Sequence, residues 1–323
     1  MESESINPMD SETKPTDIET KPEEVSETKP KVKRTKAPPL QKFMYEDPCI
    51  IEIGADEVGR GPLFGRVYSA AVILPKDDSF DHSKMKDSKK FTSTKKNTIE
   101  EAAAYIKEHA LAWHVSYEDE TVIDKINILQ ATQQAMHKAI NETRKKYASK
   151  MQPDNKIHLL IDGNYFNPII AKNGNKLEAV PYTCVEGGDN KFTAIAAASI
   201  LAKVERDQYI ADLCAAHPEL VERYGIDSNK GYGAKRHIDG IHEHGITIWH
   251  RRSFGLCKTA SVNPLLEKVE QKRRTKVLRT SPIMVWLHLF KGGKGGLKYK
   301  VNIMTKRTRI RKTTARKTRG GKT

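Results

Sequence analysis

The apolar run Ile50-Ile51-Glu52-Ile53 leads directly into Gly54-Ala55-Asp56-Glu57-Val58-Gly59-Arg60-Gly61-Pro62, and a second apolar run follows over residues 67–74. The order is strand, acidic pair, glycine loop, strand. Neighbouring side chains on a strand point to opposite faces. Asp56 and Glu57 can therefore share a site only where the strand is ending and the backbone turns. Gly59 and Gly61 supply the turn and leave bare backbone N–H groups for a ligand to approach. Arg60 adds a fixed positive charge suited to phosphate. Together these groups suit a divalent metal and a phosphodiester.

The rest of the chain reads as a mixed α/β layer arrangement. Strands are expected over 49–55, 67–74, 111–117, 156–162 and 177–185. Helices are expected from about 93 to 109, over 121–146, over 192–215 and over 234–243. The 121–146 stretch carries Val122, Ile126, Leu129, Met136 and Ile140 at helical spacing. If the first and fourth strands lie side by side and parallel, Asp56 and Asp162 meet in one crevice at their C-terminal ends. Asp162-Gly163-Asn164 also suits an ordinary tight turn. Asp189 follows two glycines just before the long helix, where an N-cap is the plain alternative. His237, His242 and His244 read as surface or core histidines, because hard ions prefer oxygen.

Charge divides the chain. The net charge is +15 over 323 residues, yet the 53 residues from Gln271 to Thr323 hold 18 Lys or Arg and no Asp or Glu, leaving the first 270 at −3. Such a tail attracts phosphate backbones without reading sequence; a solvated tail with no partner is the alternative. Residues 1–46 form an expected disordered segment, acidic and then basic, in which Glu-Thr-Lys-Pro starts at Glu12, Glu19 and Glu27. Order is expected from near Asp47, with one domain over 47–258. Residues 259–304 are expected to hold a short basic helix and a hairpin around the glycine run 291–296, and 305–323 a disordered basic tail. Cys49, Cys184, Cys214 and Cys257 form no CxxC pair, which signals neither a zinc site nor a disulfide framework. No apolar run approaches the roughly 20 residues of a spanning helix. The expected compartment is the cytoplasm, and the basic runs leave the nucleus open.

The segment 54–62 closely resembles the opening signature of the ribonuclease HII family. Asp87-Ser88-Lys89, the stretch from Lys191-Phe192-Thr193-Ala194 through Arg206-Asp207, Gly231-Tyr232-Gly233 and the closing His250-Arg251-Arg252-Ser253-Phe254 resemble it too, in the family's order. The resemblance covers about two thirds of the chain. It implies a ribonuclease H-like mixed five-stranded sheet flanked by helices. It implies four catalytic, metal-holding acids: Asp56, Glu57, Asp162 and Asp189. It implies that the backbone of Gly59, Arg60 and Gly61 recognises a 2′-hydroxyl and that Tyr232 stacks near an RNA–DNA junction. Lys89 and Lys203 are candidate phosphate contacts on their charge alone, with a solvated helix lysine as the alternative. The related ribonuclease HIII family has a different loop after its acidic pair and a folded N-terminal platform.

The chemistry fits these residue types. Four carboxylates in one place repel one another unless cations are present, and two hard divalent ions, Mg²⁺ or Mn²⁺, about 4 Å apart, answer that need. In-line hydrolysis then leaves a 5′-phosphate and a 3′-hydroxyl, with no covalent protein nucleophile. The expected substrates are RNA–DNA hybrids and duplex DNA containing ribonucleotides, cut by a monomer. Two rivals remain: a non-catalytic hybrid- or duplex-binding protein that retains the fold, and a DNA-cutting nuclease or integrase of the same broad fold.

Overall fold

Strand β1 (Ile50–Val58) runs through the middle of a five-stranded sheet ordered β3-β2-β1-β4-β7. In this computed structural model the described residues are 39–86, 88, 91, 98–173 and 176–263, with the backbone alone of 286–291 and 297–302. β1 pairs antiparallel with β2 (Val67–Ile73), placing Ala55 opposite Ala71 and Asp56 opposite Ala70. On its other edge it pairs parallel with β4 (Lys156–Asp162), placing Ala55 opposite Ile161. β3 (Ala112–Glu118) lies antiparallel to β2, and β7 (Tyr182–Val185) lies parallel to β4. The sheet is mixed, as expected, and it brings the ends of β1 and β4 together.

Two long helices cover its faces. α3 (Thr193–Ala216) opens with an alanine-rich stretch, Ala194 through Ala202, whose members are almost wholly buried. Small side chains let this helix approach the sheet closely. At Gly54 the approach is closest: a Cβ there would sit 2.6 Å from Ile195 N and nearer still to the Ala194 carbonyl. The opposite face packs on α2 (Glu120–Tyr147), where Met136, Ala139 and Ile140 meet Ile53, Ala55, Leu159 and Ile161. Each fully buried Ile or Leu in such a core contributes roughly 1.5–3 kcal/mol. α1 (Ile99–His109) packs beside α3, with Ile106 fully buried.

A second cluster surrounds Phe64, Tyr224, Ile241 and Trp249. It draws on α4 (Glu219–Tyr224), α5 (Ile226–Asn229) and α6 (Lys235–His244), and it places the 230–233 turn beside the glycine loop. Leu63 N donates to Gly231 O at 2.9 Å, and Gly65 N donates to Trp249 O at 2.8 Å.

Several expectations need correction. Of the helix expected from about 93, the described part is α1 from Ile99, where Thr98 and Glu101 form a reciprocal cap, and 93–97 lie outside the described residues. The single strand expected over 177–185 is two. β5 (Ile170–Asn173) and β6 (Lys176–Ala179) make a separate hairpin, and β7 joins the main sheet. Pro181 stands between β6 and β7, and with no N–H to donate it marks where the chain changes partner. Packing also begins before Asp47. Gln41 N donates to Lys191 O, Thr193 N donates to Gln41 O, and Met44 N and Tyr45 N both donate to the buried Glu52 carboxylate. It continues past Lys258, since Ile246 N donates to Ser261 O and Asn263 N to Ile246 O.

β8 (Trp286–Lys291) and β9 (Leu297–Asn302) pair antiparallel as the hairpin expected there. The disorder expected over 1–38 and 305–323, the basic run 29–36 and the basic helix beyond Asn263 lie outside the described residues. So do Asp87 and Lys89.

Candidate active site

β1 continues to Val58, so Asp56 and Glu57 both lie within the strand and not after it. Strand alternation starts them on opposite faces, yet at the strand tip both carboxylates come close enough to Asp162 to be pushed up by it. Asp56 points to the α3 side, where Ser199 of that helix donates to its carboxylate. Its Oδ1 also accepts from Glu57 N at 2.6 Å, and Ser69 Oγ donates to its carbonyl at 2.7 Å. Asp56 is only 4% exposed. Glu57 lies on the other side of the strand tip and meets Arg60, Nη1 to Oε1 3.2 Å.

Asp162 ends β4, one strand over. Its Oδ1 accepts from Gly188 N at 2.6 Å, and Gly163 N donates to Val185 O. The plain turn alternative for Asp162-Gly163-Asn164 is thus incomplete, because the carboxylate is held by the next loop. Asp189 sits in the 188–190 turn and is buried. The residue that caps α3 is Phe192, with no side-chain cap bond, so Asp189 is not the N-cap. Asn190 Nδ2 donates to Asp189 Oδ1 at 3.0 Å.

The four acids are linked in series by mutual repulsion. Burial, then Glu57 and Asp162, push the Asp56 carboxyl well above the usual carboxylate range. Burial also raises Glu57, with Arg60 partly offsetting it and Asp162 adding to it. Burial and Asp189 raise Asp162, against the backbone donors of Gly188, Asp189 and Gly163. Buried carboxylates with one arginine among them lack positive charge, and all-oxygen donors suit a hard divalent ion. Among the described residues no three His, Cys, Asp or Glu side chains converge as a ready-made cage. That still fits Mg²⁺, which takes one or two carboxylates and completes its shell with water and substrate phosphate.

Beside the acids lies the glycine loop. Gly59 has φ +90°, a conformation closed to most side chains. The Tyr232 ring lies over Gly61, its Cε1 3.5 Å from where a Cβ would be, and the residue is 48% exposed. Lys203 pairs with Asp207 along α3 at 2.7 Å. Of the three histidines, His237 belongs to the core.

Two arginines escaped the sequence reading as site residues. Arg206 is almost fully buried, donates to Lys230 O at 2.6 Å and lies 5.7 Å from the Tyr232 ring centre. Arg251 is fully buried and donates to five backbone carbonyls: Gly59, Arg60, Pro62, Gly65 and Arg66. Both stand inside motifs quoted above, Arg206-Asp207 and His250-Arg251-Arg252. Those motifs were the only signal, since composition does not separate a buried arginine from a solvated one.

The chain is similar to known proteins over this same region. The family model described as Ribonuclease HII matches residues 53–257. The ribonuclease HII of Bacteroides thetaiotaomicron is 42% identical over 219 residues, covering 68% of this chain and 96% of that protein. The ribonuclease HII of Phocaeicola vulgatus is 42% identical over 223 residues, covering 69% and 96%. A solved structure, the ribonuclease H2 of Pyrococcus horikoshii OT3, aligns with 20% identity and a TM-score of 0.47 over 69% of this chain and 98% of that one. The family match begins three residues before Asp56 and runs past Arg251, so it takes in all four acids, the glycine loop and Tyr232. The chain belongs to the ribonuclease HII family and is a ribonuclease H.

Proposed function

We propose that this chain is an endoribonuclease that hydrolyses the RNA strand of RNA–DNA hybrids and nicks on the 5′ side of ribonucleotides embedded in duplex DNA. The observation that carries the reading is the meeting of two features at one sheet end. Asp56, Glu57, Asp162 and Asp189 lie at the tips of β1 and β4 and in the adjoining turn, and the Gly59–Gly61 backbone lies directly beside them.

Asp56, Glu57, Asp162 and Asp189 would hold two Mg²⁺ or Mn²⁺ ions. Such ions, when bound, activate water and stabilise the departing 3′ oxygen of an in-line displacement. The chain's own groups do the rest. Asp56 and Asp162 are fixed by Ser199 and by Gly188 N–H, so neither carboxylate has to reorganise when substrate arrives. The loop backbone offers N–H groups to the 2′-hydroxyl, the one group that separates RNA from DNA at a given position. Arg60, half exposed, stands at the rim where a phosphate passes. Tyr232 offers a flat face for the neighbouring sugar or base.

The non-catalytic rival is disfavoured by the crowding of the acids, which serves no binding purpose against a polyanion. Incubation with Mg²⁺ or Mn²⁺ and three duplexes, RNA–DNA, DNA–DNA and DNA with one ribonucleotide, tests the reading. Cleavage of the first and third alone is expected. Binding without cleavage, or cleavage of plain DNA, overturns it.

A further inference from the structure

The fully buried dipeptide His250-Arg251 reaches both halves of the substrate-facing surface, one half through each side chain. Arg251 Nη2 donates to Gly59 O at 2.6 Å, and Nη1 donates to Arg60 O at 2.9 Å and to Pro62 O at 2.8 Å. In a trans peptide the carbonyl and the following N–H point in opposite directions. Drawing the carbonyls of Gly59 and Arg60 inward therefore turns the N–H groups of Arg60 and Gly61 outward, away from Arg251. The outward direction is the one a 2′-hydroxyl acceptor needs.

His250 does the matching work on the other half. Thr247 N donates to His250 Nδ1 at 2.9 Å, so that nitrogen carries no proton and Nε2 does. His250 Nε2 then donates to His237 Nε2 at 3.0 Å. His237 Nδ1 in turn donates to the Tyr232 carbonyl at 2.8 Å. Each hydrogen bond in this relay has one allowed polarity, and the relay ends on the backbone of the exposed tyrosine. Both imidazoles are neutral within it, as burial favours.

We propose that His250 and Arg251 are positioning residues that set the register between the Gly59–Gly61 backbone and Tyr232, and that they govern recognition of the ribonucleotide rather than the hydrolytic step. The inference rests on the ribonuclease reading above. It concerns residues that touch neither substrate nor metal.

The test uses the full chain in Mg²⁺ with R251K, H237Q and H237N. Lysine carries one ammonium for five carbonyls. Gln at 237 accepts from His250 but has no donor toward the Tyr232 carbonyl, whereas Asn at 237 restores that donor. Measured are kcat and KM on a duplex with one ribonucleotide, and the Ki of the all-DNA duplex as competitor. For R251K and H237Q, KM is expected to rise about tenfold, the order of one missing hydrogen bond to the substrate, with kcat within about threefold and Ki unchanged. H237N keeps the donor to Tyr232 but leaves His250 Nε2 without its acceptor, and its KM is expected to lie between those of the wild type and H237Q.

Folded R251K and H237Q with wild-type KM overturn the proposal. So does a fall in kcat at constant KM, or a parallel rise of KM and Ki. If R251K does not fold, H237Q decides; if neither folds, the pair serves the whole domain and the proposal fails. A wild type that cleaves the all-DNA duplex, or that cleaves neither duplex, overturns the ribonuclease reading itself, which separates the two failures.

Discussion

Arg206 fills the space that a side chain at position 59 would need: a Cβ on Gly59 would lie 2.7 Å from Arg206 Nε and 2.9 Å from its Cδ. Gly59 also sits at φ +90°. Strain and collision act together, and overpacking of this kind costs roughly 1–3 kcal/mol. Gly59→Ala should therefore lower the melting temperature and reduce ribonucleotide cleavage more than it reduces binding to plain DNA. Melting curves and a comparison of the two duplexes check this. An unchanged preference would separate the loop from recognition.

Asp56→Asn should nearly abolish cleavage, by roughly 100-fold or more, the scale of removing one preorganised electrostatic interaction. The metal-free variant should fold at least as well as the wild type, because a buried carboxylate crowded by Glu57 and Asp162 has been neutralised. A ligand at about 100 times its Kd stabilises by about 2.7 kcal/mol, and each kcal/mol is worth about 2–4 °C in a domain of this size. Mg²⁺ should thus raise the wild-type melting temperature by several degrees and that of the variant by less. Thermal scans in EDTA and in Mg²⁺ read this directly; equal metal shifts would remove Asp56 from the metal set.

The His237–His250 pair sets a pH dependence. Burial pushes both below the ordinary histidine value, His250 further, with His237 beside it. In the unfolded chain both take up protons below about pH 6.5. The folded pair resists, so the unfolded state binds more protons there, and stability falls as pH falls through that value. Denaturant unfolding from pH 8 to pH 5 should show the loss, and H237N should flatten it. A steeper profile in the variant would place the acid sensitivity elsewhere.

Tyr232→Ala should cost little stability, because the residue is 48% exposed. It should weaken affinity for the ribonucleotide-bearing duplex by roughly 1–3 kcal/mol, the usual value of a stacked ring. Titration of that duplex and of its all-DNA counterpart separates this from a general weakening of binding.

Truncation after Asn263 should leave a folded, active nuclease, whereas truncation after Lys258 removes the strand-like pairing of Ser261–Asn263 with Ile246 and should melt earlier. Either cut removes the 18 positive charges of the last 53 residues. The slope of log binding against log salt should become shallower by about 0.9 for each phosphate that the shortened chain no longer neutralises. An unchanged slope would mark the tail as a solvated passenger.

The sequence disclosed the site better than its support. Asp56, Asp162 and the glycine loop were legible because strand ends and turns have strong local signatures. The parallel pairing of β1 with β4 is a condition the strand pattern leaves open, and the sheet meets it. Arg206 and Arg251 were not legible as site residues, since a lone arginine reads as solvated until its burial is known. The His237–His250 hydrogen bond spans 13 residues and crosses from α6 to a loop, so no periodicity announces it. The break at Pro181 was visible in principle. The strand-favouring Val180, Tyr182, Thr183 and Val185 around it mask the break.

Arg251 Nη2 reaches back 192 residues to Gly59. A chain made from its N-terminus completes the four carboxylates long before it makes the side chain that holds the Gly59–Gly61 loop. A fragment ending short of Arg251 therefore carries the four carboxylates with the carbonyls of Gly59 and Arg60 unheld. Long-range closure of this kind slows folding, and on the reading proposed above it also orders events: the domain would become able to choose a substrate only when almost all of it has been synthesised.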